Sequence, residues 1–355
     1  MEAASSSSGH STSPGLRITD HVLQHMAMGK VFKDSKAAFN SMDFHHEGKY
    51  LVAANDDESI HMINTETGRQ EKVIHSKKYG VDLVRFTHGE PNTVICASKN
   101  QWDESLRYLS LHDNRYLRYF KGHRDRVVSL AMSPINDSFL SGSMDKTVRM
   151  WDLRTNACQG LLRHVERPSV AFDAPGLIFA VSSNNSDAST TVKLFDLRSF
   201  DKGPFCTFNL RHNIPTLQCT GMKFSGDGKF VLLSTNKPVL FLLDAFSGEQ
   251  KQAYRGHVNN QDSALEGSFT PDAQYVLCGS EDGSVHVWHT ETGQPKAVWR
   301  GHVGSVAVTQ WNPRFMMAAS ADNHLVLWRP DLRLSHGDSA AGDAAASHHP
   351  YHQYT

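Results

Sequence analysis

The chain has 355 residues, with 36 Lys and Arg against 37 Asp and Glu. This near-neutral balance disfavours a broad phosphate-binding surface for nucleic acid or acidic membranes. Apolar residues make up 39% of the chain, enough for a sizeable core. No apolar run is long enough for a membrane-spanning helix or has the form of a signal peptide. The five cysteines form no CxxC pair, so we expect reduced, buried thiols without a metal or redox site.

The two ends of the chain contain few residues that a core could bury. Residues 1–18 are rich in Ser, and residues 335–355 are rich in Ala and His. Because neither end can offset its ordering entropy by burying apolar side chains, both are predicted to be disordered tails. The folded part is therefore predicted over residues 19–334.

Between the tails, one pattern recurs: an apolar run, a turn with Asp or Gly, and a second apolar run that ends in a large apolar residue. The clearest copies are LSGSMDKTVRMWD (140–152), LCGSEDGSVHVWH (277–289) and MAASADNHLVLWR (317–329). Seven copies align, with terminal positions Ile63, Leu111, Trp151, Phe195, Leu243, Trp288 and Trp328. Their spacing averages about 44 residues, as in four-stranded propeller blades. The sequence therefore predicts an all-β, seven-bladed propeller.

The seventh copy stops at about Pro330, after its third strand. The segment LQHMAMGKVF, residues 23–32, has the composition of a strand but precedes the first repeat. We predict that this N-terminal strand pairs with the last blade, because that pairing closes the ring and removes an open sheet edge.

Three copies carry a Gly-His pair, an Asp and a Trp, with the Asp six residues before the Trp. These sets are His123, Asp145 and Trp151; His257, Asp282 and Trp288; and His302, Asp322 and Trp328. This arrangement resembles the signature of WD-repeat propellers. The resemblance implies that each set joins a strand Ser in a buried hydrogen-bonded chain, complete only with Ser141 in blade three. Cys278 and Ala318 take the Ser position in blades six and seven, and Ser105, Ser189 and Lys237 replace the Asp in blades two, four and five.

A set of His, Ser and Asp also suggests a hydrolase. Catalysis needs an exposed nucleophile beside a pocket with oxyanion donors, whereas these sets recur once per repeat, as scaffolding does. We therefore interpret them as structural and expect no catalytic, cofactor-binding or metal-binding residue. An enzyme working in the central channel is a separate alternative. It would need carboxylates, histidines or a metal on the axis, and the inner runs VVSLAMS and SVAVTQW supply none at regular spacing.

The resemblance extends beyond the repeat to one group of WD-repeat proteins. The segments SKKYGVDLVRFTH (76–88), RYLSLHDNRYLRYFKGH (107–123) and LFDLRSFDKGPF (194–205) are similar to the WD-repeat subunit shared by COMPASS-type histone H3 methyltransferase complexes and phosphatase-containing transcription-termination assemblies. This similarity implies a nuclear, non-catalytic adaptor that links a SET-domain methyltransferase to RNA polymerase II. The implied partners are the methyltransferase and its other subunits, the phosphorylated C-terminal repeats of the polymerase, and a phosphatase regulatory subunit. Sequence-specific nucleic-acid binding and membrane binding are not expected.

Two stretches are candidate partner surfaces, because they fall where an outer strand crosses to the next inner strand. One contains Lys77, Lys78 and Tyr79, and the other contains Arg124 and Arg126. Cations beside an aromatic ring can hold a phosphorylated or acidic peptide through charge-assisted hydrogen bonds and stacking. A solvated loop is the alternative for each stretch.

A second function is also open. Trp151-Asp152-Leu153-Arg154, and more loosely the four residues that end in Arg198, resemble the WDxR box by which some WD-repeat proteins dock on the adaptor of a cullin-RING ubiquitin ligase. Such an Arg would project from the blade edge as a bidentate donor. The chain would then be a substrate receptor of the ligase. The simpler interpretation is that each Arg pairs with an acidic neighbour.

Overall fold

The computed structural model describes residues 17–331, except positions 34, 36, 89, 90, 101, 186, 188 and 213. The two predicted tails therefore lie outside the described residues, apart from Arg17 and Ile18. Ile18 is buried in an apolar cluster with Leu23 and Met26, so packing reaches one residue into the predicted N-terminal tail. None of the helices in the described part of the chain has the length and apolar character needed to cross a bilayer.

The described chain is mostly strand, arranged as seven four-stranded antiparallel sheets. A short helix and one strand come first: α1 (Asp20–Gln24) and β1 (Met26–Phe32). Blade one contains β2 (Phe39–Phe44), β3 (Tyr50–Asn55), β4 (Ser59–Asn64) and β5 (Arg69–His75). Blade two contains β6 (Asp82–Phe86), β7 (Thr93–Ala97), β8 (Leu106–Ser110) and β9 (Arg115–Phe120). Blade three contains β10 (Val127–Met132), β11 (Ser138–Ser143), β12 (Thr147–Asp152) and β13 (Gly160–Arg163).

The later blades follow the same order from the inner to the outer strand. Blade four contains β14 (Ser169–Phe172), β15 (Ile178–Asn184), β16 (Ser189–Asp196) and β17 (Cys206–Arg211), with a 3-10 turn at Phe200–Lys202. Blade five contains β18 (Cys219–Phe224), β19 (Phe230–Thr235), β20 (Val239–Asp244) and β21 (Gln250–Arg255). Blade six contains β22 (Ser268–Phe269), β23 (Tyr275–Gly279), β24 (Ser284–His289) and β25 (Pro295–Arg300). Blade seven contains β26 (Val308–Trp311), β27 (Ala318–Ala321) and β28 (Leu325–Pro330), and its fourth strand is β1.

This architecture confirms the predicted seven-bladed propeller. The middle strands are buried on both faces, as in β4, where all six residues are buried. The outer strands alternate between exposed and covered positions, as in β5 and β9. The sequence shows a related contrast: middle strands are nearly continuous apolar runs, whereas outer strands such as RQEKVIH contain several charged residues.

The ring is closed by β1, which pairs antiparallel with β28 from Met26 opposite Pro330 to Phe32 opposite Leu325. This confirms the predicted closure. The strand is shorter than the predicted segment 23–32, because Leu23 and Gln24 belong to α1. The Thr19 side chain caps this helix by accepting a hydrogen bond from the Val22 backbone N–H, 3.3 Å away.

Helix α1 also fastens the closing strand to blade six. Asp20 accepts hydrogen bonds from the Tyr275 hydroxyl and the Lys296 ammonium group, each at 2.7 Å. The Trp299 indole N–H donates to the Leu23 carbonyl at 2.7 Å. The N-terminal segment therefore connects the outer strand of blade six to the open side of blade seven.

The cysteines are all free. Burial raises the pKa of the Cys96 and Cys278 thiols to about 12, so both are protonated at neutral pH. Cys219 is also buried, but the expectation of five buried thiols is wrong for Cys158 and Cys206, which are partly exposed. Among the residues with described positions, no three or more His, Cys, Asp or Glu side chains are grouped so that they could hold a metal ion.

Removing residues 1–33 is expected to destabilise the protein far more than removing residues 336–355. The first deletion exposes β28 and removes the buried side chains of Leu23, Met26 and Phe32, each worth roughly 1.5–3 kcal/mol. Thermal unfolding of the two truncated proteins measures the difference. Equal melting temperatures would contradict the role assigned to the closing strand.

Candidate partner-binding surfaces

In blade three, four buried side chains form one hydrogen-bonded chain. The His123 ring contacts Asp145 Oδ2 at 3.0 Å through Nδ1 and Ser141 Oγ at 2.7 Å through Nε2. The Trp151 indole N–H donates to the same Ser141 oxygen at 2.8 Å. Burial lowers the pKa of His123, so a neutral ring donates to Asp145 and accepts from Ser141. Ser141 is fully buried and offers no exposed nucleophile.

Blade seven has the same chain, although we expected Ala318 to break it. His302 contacts Asp322 at 2.8 Å and Ser320 at 2.6 Å, and the Trp328 indole N–H donates to Ser320 at 2.6 Å. The expectation was wrong because the hairpin of blade seven is shorter: Trp328 pairs with Ala318, whereas Trp151 pairs with Phe139. The Ser therefore lies eight residues before the Trp instead of ten.

In blade six the chain is broken, because Cys278 stands where blades three and seven have Ser. The Trp288 indole N–H donates to the Arg255 carbonyl instead, at 3.1 Å. His257 is buried, and its Nδ1 atom has no hydrogen-bond partner among the described residues. Asp282 accepts a hydrogen bond from the Ser284 hydroxyl at 2.5 Å.

The pattern Asp-x-Ser/Thr at the start of the third strand is shared by more blades than the His-Asp-Trp set. In each pair the Ser or Thr hydroxyl donates to the Asp carboxylate; the pairs are Asp57 and Ser59, Asp103 and Ser105, Asp145 and Thr147, Asp187 and Ser189, and Asp282 and Ser284. Asp103 and Asp187 thus supply the turn carboxylate that blades two and four were expected to lack.

The third strand of blade two ends at Ser110, so Leu109 replaces Leu111 as its terminal apolar position.

Lys77 and Lys78 are exposed after β5, on the face where outer strands cross to the next blade, here called the crossing face. Tyr79 beside them is half-buried. Its ring lies 3.6 Å from the Arg107 guanidinium carbon and 5.1 Å from the Lys78 ammonium group. Buried Arg107 is held by Asp103 at 2.8 Å and by the Ser105 carbonyl at 3.1 Å. The buried Arg107 therefore packs against the Tyr79 ring from the protein interior and holds it in position.

Trp102 extends this surface. Its side chain is 64% exposed and lies 5.7 Å from the Tyr79 ring. We name Lys77, Lys78, Tyr79 and Trp102 the blade-two surface. The repeat pattern did not reveal Trp102, because this residue lies in a loop with no fixed position in the repeat. A large aromatic residue within the polar run KNQWDES was the available signal.

Arg124 and Arg126 lie on the same face in blade three and are exposed. The Arg126 guanidinium pairs with Asp82 at 2.9 Å, beside the mouth of the central channel. The Arg124 backbone N–H donates to Asp145 at 3.0 Å, so this loop is anchored to the buried chain of its blade. The charge of Arg126 is thus partly neutralised, and Lys77 and Lys78 are the freer cations.

Arg154 and Arg198 lie on the opposite face, because they follow third strands. Arg154 forms a bidentate pair with Asp152, with contacts of 2.9 and 2.6 Å. Arg198 pairs with Asp196 at 3.4 Å. Both side chains are more than 70% exposed, so each pair is expected to contribute little stability.

A channel cavity of about 590 Å³ lies at the centre of the ring and is lined by residues of all seven blades. Glu266 is paired there with Lys223 at 2.7 Å and Arg85 at 3.8 Å. Burial opposes ionisation of Glu266, but these two cations keep its pKa below the usual value. Asp43 is buried nearby, and burial raises its pKa. The channel wall thus carries carboxylates that the inner-strand sequences had not indicated, and Glu266 among them is paired with cations.

Comparison with known proteins agrees with this geometry. Residues 28–64, 114–152, 248–289 and 293–329 match the family "WD domain, G-beta repeat". The chain is 46% identical over 316 residues to WD repeat-containing protein 82 of Drosophila melanogaster, covering 89% of this chain and 98% of that protein. The chain belongs to this family of WD-repeat proteins.

Two further relatives are named for the complexes that contain them. The Set1 complex component swd2 of Schizosaccharomyces pombe is 40% identical over 73% of this chain and 74% of its own length. The COMPASS component SWD2 of Saccharomyces cerevisiae is 29% identical over 79% of this chain and 88% of its own length. These WD-repeat relatives confirm the resemblance on which the expected fold and family were based. None of these names refers to a ubiquitin ligase.

Replacing Ser320 with Ala should lower the free energy of unfolding by about 1–3 kcal/mol, because His302 and Trp328 then lose their shared buried partner. Urea unfolding measures the loss. The exposed Ser247→Ala is the control and is expected within about 0.5 kcal/mol of the parent protein. A Ser320→Ala protein as stable as the parent would show that this chain contributes nothing.

His257 should make the protein sensitive to acid. Burial lowers its pKa to about 4, whereas an unfolded His titrates near pH ~6.5. Between these values only the unfolded state binds the proton, so stability is complete above pH ~6.5 and falls as the pH decreases, by about 3 kcal/mol in total. His257→Gln should flatten urea-unfolding stability between pH ~7 and ~4, with exposed His112→Gln as control. An unchanged slope would contradict the assignment.

Proposed function

We propose that this chain is a non-catalytic scaffold subunit of a COMPASS-like histone H3 lysine methyltransferase complex. It works in the nucleus and joins the SET-domain methyltransferase to transcribing RNA polymerase II. The observation that carries the proposal is similarity over most of the chain to relatives named as components of the Set1 complex and of COMPASS. The similarity spans nearly the whole of a third relative and therefore concerns the ring as a unit.

The chemistry of the ring supports a scaffold. The His, Ser and Asp groups that resemble a catalytic set are buried and hydrogen-bonded to each other in blades three and seven. In the channel, Glu266 is neutralised by Lys223 and Arg85. What the ring presents to solvent is a set of loops in fixed relative positions, and such loops serve binding.

The blade-two surface suits a phosphorylated peptide. Lys77 and Lys78 provide exposed ammonium groups, and Tyr79 and Trp102 provide rings on which a peptide can stack. Arg107 holds Tyr79 in place before binding, which reduces the entropy lost on association. The phosphorylated C-terminal repeats of the polymerase have this chemistry. The methyltransferase and a phosphatase regulatory subunit are the partners expected on other parts of the ring.

The test uses the full chain in a reconstituted complex. The chain alone should not methylate histone H3, and the complex should bind phosphorylated polymerase repeat peptides only when the chain is present. Lys77→Glu combined with Lys78→Glu should weaken peptide binding at least tenfold, because two attractive charges become repulsive. Fluorescence anisotropy measures this affinity, and a methylation assay measures activity of the complex.

The matched control reverses two cations on the opposite face, Arg154→Glu with Arg198→Glu. It changes the net charge equally and should leave peptide affinity unchanged. If both double variants weaken binding to the same extent, the peptide responds to overall charge, and the blade-two surface is not its site. If the chain fails to copurify with methyltransferase activity from nuclear extract, the proposed complex is wrong.

A further inference from the structure

The outer wall of blade three differs from that of every other blade at one position. In each blade, the third strand ends near a large apolar residue. The residue three positions before it in sequence lies opposite a residue of the outer strand. These outer-strand partners are Ile74, Phe120, Leu162, Phe208, Tyr254, Trp299 and Phe32 in blades one to seven. Five are aromatic, and all except Leu162 are buried. Leu162 is smaller than these rings and is partly exposed.

A groove opens beside the partly exposed Leu162. Its volume is about 260 Å³, and it lies between β13 and the second and third strands of blade four. Val165, Val181 and Phe195, all buried, and the partly exposed Phe200 line it with apolar surface. Strand β13 has only four residues, so the wall on that side is short. The groove therefore borders the core between blades three and four on the outside of the ring.

The rim of this groove is cationic. Arg163 and Lys193 are exposed and line it, and neither takes part in an ion pair with another described residue. Asp201 is the acidic side chain among the described residues that line the groove. Beside it, Pro204 leads to Phe205, whose side chain is 60% exposed. Partly exposed apolar side chains, Leu162 and Phe200, beside cations without an ion-pair partner among the described residues give this groove the character of an interaction site.

We propose that this groove is a second docking site, which binds a peptide segment of a partner protein that carries one bulky apolar side chain flanked by Asp or Glu. The apolar side chain occupies the volume left by Leu162, as an anchor in a desolvated pocket. The flanking carboxylates pair with Arg163 and Lys193. This site goes beyond the proposed function, because it lies on the outer wall of the ring and operates whichever assembly contains the chain.

The test begins with selection of random phage-displayed peptides on the immobilised full chain, followed by fluorescence anisotropy with the enriched peptides. Leu162→Trp fills the groove with the residue that blade six has at the same position. Arg163→Glu combined with Lys193→Glu reverses the rim charge. The control, Arg255→Glu with Lys251→Glu, makes the same charge change on β21, where Arg255 pairs with Val239 as Arg163 pairs with Thr147.

Enriched peptides should contain a Leu, Ile, Phe or Trp between acidic residues, and both groove variants should weaken their binding at least tenfold while the control leaves it unchanged. Melting temperatures establish that each variant is folded, and Leu162→Phe replaces Leu162→Trp if the larger ring destabilises the protein. The proposal is overturned if no peptide is enriched, if the peptides lack acidic residues, or if Leu162→Trp binds them normally. Single-stranded RNA that competes for the groove would also overturn it.

Discussion

The backbone pairing between β1 and β28 is the interaction on which the remaining structure depends. Without it, blade seven would have three strands and an unpaired edge, and the ring would have a free end. Helix α1 adds contacts to blade six through Asp20 and Leu23, so the closure spans two blades. A closed ring holds its loops at fixed distances from one another, and both candidate surfaces depend on residues contributed by more than one strand.

Both candidate surfaces lie where a blade departs from the pattern of the others. Blades three and seven contain the complete His-Ser-Asp-Trp chain and are internally satisfied. Blade two lacks it, and its buried Arg107 instead supports the aromatic ring of Tyr79 on the crossing face. The groove beside Leu162 likewise arises from a departure from the pattern of the other blades. Positions where local rules fail are those where function is expected.

Much of the fold was predictable, because blade number follows from repeat spacing and ring closure follows from the need to pair an edge. The errors in the repeat alignment come from local differences between blades. Hairpin lengths differ between blades. Counting back from Trp328 to find the Ser of blade seven therefore gave Ala318 instead of Ser320. In blade two, the terminal apolar position of the third strand was assigned to Leu111 instead of Leu109. Trp102 and the groove could not be found from repeat positions, since both depend on neighbours that only the folded ring brings together.

The closing pair joins strands that are about 300 residues apart in the chain. During synthesis, β1 emerges first and its partner β28 emerges last, so β1 must wait while the intervening blades are made. Blades one to six contain all four of their own strands and can form as they leave the ribosome. The nascent chain therefore exposes Met26 and Phe32 until β28 has been made, and during this interval these unpaired apolar side chains are open to aggregation.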